Sequence, residues 1–99
     1  MVESLSEIQV LLISGEGCKA CERVKERLER LRPEFPSLSV TEIDLASDDG
    51  MALALRYRMA ALPGIAINGR MALVGDVPEA LLRRDLEAAA RHALLEGTE

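Results

Sequence analysis

The chain has no tryptophan, one phenylalanine (Phe35) and one tyrosine (Tyr57), so the aromatic platforms on which nucleic acids stack are missing. It also lacks a basic stretch. Twelve Lys and Arg against seventeen Asp and Glu leave a net charge of −5, which repels a phosphate backbone and excludes nucleic acid as the expected partner. Long apolar runs are absent too. The longest, Ile8 to Ile13, is interrupted by Gln9 and falls far short of the ~20 residues that span a bilayer, so no membrane partner is expected. Glu3 and Glu7 stand where a secretory leader would be basic, which points to a cytoplasmic protein. Histidine occurs once, as His92 in the last predicted helix, where a solvated or dipole-complementing role is expected.

What is present fits one small domain over residues 1–99: a chain of this length supports a single core without disulfide staples, and 48% hydrophobic residues supply it. With so few aromatics, that core is built from Leu, Ile, Val, Ala and Met. Methionines such as Met51, Met59 and Met71 are expected as core filler. Cysteine occurs twice, as Cys18 and Cys21, in the glycine-loosened stretch Ser14-Gly15-Glu16-Gly17-Cys18-Lys19-Ala20-Cys21. Two thiols at this spacing sit on one helical turn, close enough to bond to each other or to share one metal ion. In a reducing compartment such a pair is redox-active or metal-binding rather than a structural staple.

The apolar run Ile8–Ile13 reads as a central strand covered on both faces. After the cysteines, Cys21, Val24, Leu28 and Leu31 recur every three or four residues against a charged opposite face, the pattern of a surface helix stopped by Pro33. A second strand is expected over about Leu38–Leu45, its alternation slipping in phase at Glu42. Ser47 or Asp48 caps a second helix to about Met59, with Met51, Leu55 and Met59 as its apolar stripe. The segment from Leu62 to Val74 is two short apolar runs joined by Asn68-Gly69, a strong hairpin signal. Asp76-Val77-Pro78-Glu79 reads as a capping box opening a long helix to about Leu95, with Leu82, Leu86, Ala89 or Ala90, and Ala93 facing the core. The order is β-α-β-α-β-β-α, an α/β arrangement whose initial βαβ unit is parallel and whose hairpin completes a mixed four-stranded sheet flanked by three helices.

A Cys-x-x-Cys at a strand-to-helix junction, Pro63 about forty residues on at the mouth of an Asn-Gly hairpin, then Gly75-Asp76 and a terminal helix resemble the thioredoxin-like superfamily. The likeness runs from Ile8 to about Leu95 and is nearest to its small glutaredoxin-like members. It implies a thiol–disulfide oxidoreductase, monomeric and without cofactor, that reduces protein disulfides and is recharged by a thiol reductase or glutathione. By the same resemblance Cys18 is the exposed nucleophile, Cys21 resolves, Pro63 is cis, and the Leu62 backbone holds the substrate chain extended. Lys19, next to Cys18, adds a cation there and is expected at the substrate-binding edge.

The dipeptide Lys19-Ala20 is neither the Gly-Pro of typical thioredoxins nor the Pro-Tyr of typical glutaredoxins. Where glutaredoxins hold glutathione with Thr-Val-Pro and Gly-Gly-x-Asp, this chain has Ala61-Leu62-Pro63 and Gly75-Asp76. Glutathione-linked glutaredoxin activity is therefore an alternative, as is metal binding or delivery, because Cys-x-x-Cys is half of a tetrahedral zinc site. With no second cysteine pair and His92 far along the chain, a monomer does not complete such a site, and no metal is expected.

Overall fold

The computed structural model describes residues 7–97, with side chains described up to His92; Glu3 and the side chain of Ala93 lie outside the described residues. Strand β1 (Ile8–Ser14) leads through the cysteine loop into helix α1 (Lys19–Leu31). Pro33 then stops α1, leaving one 3-10 turn over Arg32–Glu34 before strand β2 (Leu38–Asp44). Helix α2 (Asp48–Tyr57), the hairpin of β3 (Gly64–Ile67) and β4 (Arg70–Val74), and helix α3 (Glu79–Gly97) complete the order β-α-β-α-β-β-α. The sheet runs β2-β1-β3-β4, with β1 parallel to β2 and the other pairs antiparallel. Asn68 and Gly69 both adopt positive φ, 50° and 85°, as a tight two-residue hairpin turn requires.

The two faces of the sheet are unequal. Ile8, Val10 and Leu12 of β1 point with Ile65 and Ile67 of β3 into a core closed by Val24, Leu28 and Leu31 of α1 and Leu82 and Leu86 of α3. On the other face Gln9 is exposed and Leu11 half-buried, because α2 is only ten residues long and covers one end. β1 is thus apolar for a core on one side and only partly covered on the other, not sandwiched along its full length.

Two local expectations are corrected. Met51 and Leu55 do not face the sheet: they are 49% and 72% exposed, while Gly50 is buried and Leu53, Ala54, Tyr57 and Met59 are half-buried. The cause lies at the start of α2, where the Ser47 hydroxyl accepts the Gly50 N–H at 3.0 Å and Gly50 is packed against the Asp44 backbone carbonyl. That close approach fixes the rotation of the helix, and α2 ends at Arg58 in the left-handed conformation rather than continuing to Met59. Nor does Asp76 form a capping box. Helix α3 begins at Glu79, so Asp76 lies too far upstream, and its carboxylate instead receives Arg23 and Arg27 of α1, while Glu79 pairs with Arg30.

Candidate active site

The cysteine loop forms where β1 emerges from the core. Ser14 is the last strand residue, and its carbonyl accepts the Leu45 N–H at 2.7 Å, tying the loop to the end of β2. A turn follows, closed by the Cys18 N–H to the Gly15 carbonyl at 3.3 Å, with Gly17 at φ 73°, a conformation open to glycine at little cost. The chain then enters α1 with Cys18 as the N-cap: backbone extended, Sγ accepting the Cys21 N–H at 3.1 Å, carbonyl accepting the Glu22 N–H at 3.3 Å. A cysteine sulfur thus occupies the place usually filled by a Ser, Thr or Asp oxygen, facing the N–H groups of the first turn.

Cys18 and Cys21 are joined in a disulfide with Cα atoms 5.2 Å apart. They are not equivalent. Cys21 is 4% exposed at the head of the buried α1 stripe, whereas Cys18 is half-exposed at the helix tip. Lys19, the first residue of α1, is exposed beside it.

The Leu62–Pro63 peptide is cis, and Pro63 is fully buried at the entry to β3. Its carbonyl accepts the Gly75 N–H at 2.8 Å, which draws the β4–α3 turn to the same place. Leu62 reaches across to the cysteine loop, its Cδ1 lying where a side chain on Gly15 would begin. Of the residues expected at the site, Cys18, Cys21 and Lys19 lie on one loop and helix tip, and Leu62, next to Pro63 in the chain, lies against that loop at Gly15.

Two polar clusters flank this arrangement. Asp76 accepts Arg23 Nε at 3.0 Å and also Arg27, whose guanidinium donates as well to the Val77 carbonyl at 2.8 Å. These hydrogen bonds, Arg23 first and Arg27 second, hold the Asp76 carboxyl below its ordinary value. On the other side the buried Ser14 hydroxyl donates to Glu42 at 2.7 Å, and Lys25 donates to the same carboxylate at 2.9 Å. Lys25 foremost, then Ser14, lowers the Glu42 carboxyl. Neither cluster was anticipated from the sequence. The one trace of the second was Glu42 itself, the residue at which the β2 alternation slips. Among the described residues no group of three or more His, Cys, Asp or Glu is placed to hold a metal ion, and no helix is long and apolar enough to cross a membrane.

A family model described as "Glutaredoxin-like domain (DUF836)" matches residues 9–87, from the second residue of β1 into α3. The chain belongs to this glutaredoxin-like family. Among curated proteins it is similar to a "Disulfide bond formation protein" of Brevibacillus choshinensis, 30% identical over 84 residues that cover 81% of this chain and 71% of the relative. Among solved structures it resembles Fasciola hepatica thioredoxin, at 20% identity and TM-score 0.66 over 85% of this chain and 82% of that one. It also resembles oxidised mitochondrial thioredoxin 3 of Saccharomyces cerevisiae, at 15% identity and TM-score 0.66, covering 88% of this chain and 83% of that one. At these identities the structural likeness establishes the thioredoxin-like fold. Proteins of that fold with such a cysteine pair are generally thiol–disulfide oxidoreductases, and this glutaredoxin-like chain carries the pair as a disulfide.

Proposed function

We propose that this glutaredoxin-like protein reduces disulfides in protein substrates by dithiol–disulfide exchange, with Cys18 as nucleophile and Cys21 as resolving thiol. The observation that carries the reading is the unequal placement of the two sulfurs: one at an exposed helix start with a backbone N–H aimed at it, the other buried one turn along. Only a thiolate attacks a disulfide, and a free cysteine has a pKa of ~8.5, so the attacking sulfur needs its anion stabilised. The helix start favours negative charge by roughly 0.3–1 kcal/mol at an exposed end, and this acts most on Cys18, at the N-cap itself.

The Cys18 thiolate attacks one sulfur of the substrate disulfide, forming a mixed disulfide and releasing the other substrate sulfur as a thiolate. Cys21, deprotonated, then attacks Cys18 Sγ. This breaks the mixed disulfide, frees the second substrate thiolate and leaves Cys18–Cys21 oxidised. Two electrons have passed to the substrate, and a thiol reductase or glutathione returns them. Leu62 and Pro63 line the substrate side, holding the client chain extended against the cysteine loop, with Lys19 at its rim. The protein acts as a cytoplasmic monomer.

A second reading, donation of the disulfide to substrates, is favoured by the name of the Brevibacillus choshinensis relative. The reduction potential of the Cys18–Cys21 pair separates the two. A value of about −270 mV, with turnover of insulin disulfides, is expected of a reductant, and one of about −120 mV would favour disulfide donation. Running a glutathione mixed disulfide beside insulin tests the glutathione-linked alternative, which gains if only the former is turned over.

A further inference from the structure

Two glycines lie between β1 and Cys18, and they serve different ends. Gly17 takes a positive φ; Gly15 does not. What Gly15 supplies is space. A Cβ built on it would stand 2.9 Å from Leu62 Cδ1, inside the roughly 3.5–4.0 Å at which carbon atoms pack, and no other atom beyond its chain neighbours comes within 4 Å. The contact therefore joins two loops that are far apart in sequence: the one that ends in the cysteines and the one that carries cis Pro63. A matching contact lies on the far side of Pro63, where the thioether of Met59 fills the place of the missing Gly64 side chain. Met59 thus closes the 59–64 segment on its own far end, and Leu62 within it rests on the cysteine loop at Gly15.

We propose that Gly15 is a positioning residue for the client: its bare Cα is the seat of the Leu62 side chain and sets how closely the substrate-holding edge approaches the Cys18–Cys21 pair. The proposal rests on the reading that protein disulfides are the substrates, held along Leu62. A side chain at position 15 would push the Leu62 side chain off its seat and across the edge along which the client lies, weakening the client's hold beside Cys18. It would meet only the end of a flexible side chain, so the displacement is local and the fold stands. Gly50 is the contrast, since a side chain there meets the Asp44 backbone, which cannot step aside.

The test is Gly15→Ala, alone and combined with Leu62→Ala, in the intact protein. With insulin as substrate, Gly15→Ala raises KM by about tenfold while kcat holds, the pattern of an interaction lost equally from the bound substrate and the transition state. The increase is smaller for a small aromatic disulfide, which reaches Cys18 without lying along Leu62. Leu62→Ala vacates the space, so adding Gly15→Ala to it produces no further rise in KM. An unchanged insulin KM in Gly15→Ala overturns the proposal, as does an equal rise with or without the Leu62 side chain, or an equal loss on both substrates. A second measurement is independent of turnover: in carbon-13 methyl spectra of Gly15→Ala the Leu62 methyl signals move and those of Leu28 and Leu86 do not. Stationary Leu62 methyls overturn the seat even in an active enzyme. A wild-type protein inactive on every disulfide overturns the functional reading and leaves the methyl result to decide the seat.

Discussion

Helices α1 and α2 each follow a strand, open with a side-chain cap and carry an apolar stripe in the sequence, yet they are held to the molecule in opposite ways. Helix α1 is held by its side chains: Cys21, Val24, Leu28 and Leu31 are buried in the core it shares with α3. Helix α2 is held by its backbone, with Gly50 pressed on the Asp44 carbonyl while Met51 and Leu55 face outward. Ion pairs follow the same division. Every one among the described residues has a member on α1 or α3. The difference shows what the core is for: it anchors the helix whose tip carries Cys18 and Cys21, and leaves the helix on the other face as a short cover.

The sharpest way to break this contrast is a pair of leucine truncations. Leu28→Ala on α1 should cost about 2–5 kcal/mol, because it removes a fully buried side chain and leaves a cavity, whereas Leu55→Ala on α2 should stay within about 0.5 kcal/mol. Urea unfolding of both variants measures the difference, and comparable losses would mean that α2 is packed as deeply as α1. Gly50→Ala comes next. By helix propensity alone alanine should stabilise an α2 position by about 1 kcal/mol, but the collision with Asp44 reverses the sign and predicts a net loss of about 1–3 kcal/mol. A gain in unfolding midpoint would show that α2 is not held by its backbone.

How far the sequence could be read follows the same division. Strand β1, the α1 stripe, the Asn68-Gly69 hairpin and the order of elements were legible because each is written in local periodicity or turn chemistry. The Cys18–Cys21 pair and the cis bond at Pro63 were legible because motif and element order agree. The face of α2 was not, since Met51, Leu55 and Met59 satisfy a helical period but a backbone contact with β2 decides which side turns inward. Asp76 fitted a capping box on paper. Arg23 and Arg27, distant in sequence, draw its carboxylate away, and nothing local announces them. The Gly15–Leu62 contact leaves no pattern at all, because the signal of a needed absence is a single glycine in a loop that already has another.

The smallest expected effect concerns pH and again belongs to the α1–α3 side. Asp76, Glu42, Glu34 and Glu29 are each held below their ordinary values by hydrogen bonds, chiefly from Arg23, Lys25, Arg83 and Arg32 respectively. A carboxyl lowered in the folded state contributes stability above its unfolded value, 3.8 for Asp and 4.5 for Glu, and loses it as pH falls through the folded value. The protein should therefore become less stable on acidification below about pH 4.5, and Asp76→Asn should flatten that decline, measured as unfolding midpoint against pH. Because the pairs are exposed, the change is modest and shrinks with salt. A decline equally steep in Asp76→Asn would place the acid sensitivity elsewhere.

The asymmetry between the two sulfurs is the centre of the account, and trapping tests it most directly. Incubated with insulin, Cys21→Ser should accumulate a covalent adduct joined through Cys18, resolved by intact-mass and peptide mass spectrometry, while Cys18→Ser should form none and reduce nothing. An adduct through Cys21 in the Cys18→Ser variant, or disulfide reduction that survives the loss of Cys18, would contradict it.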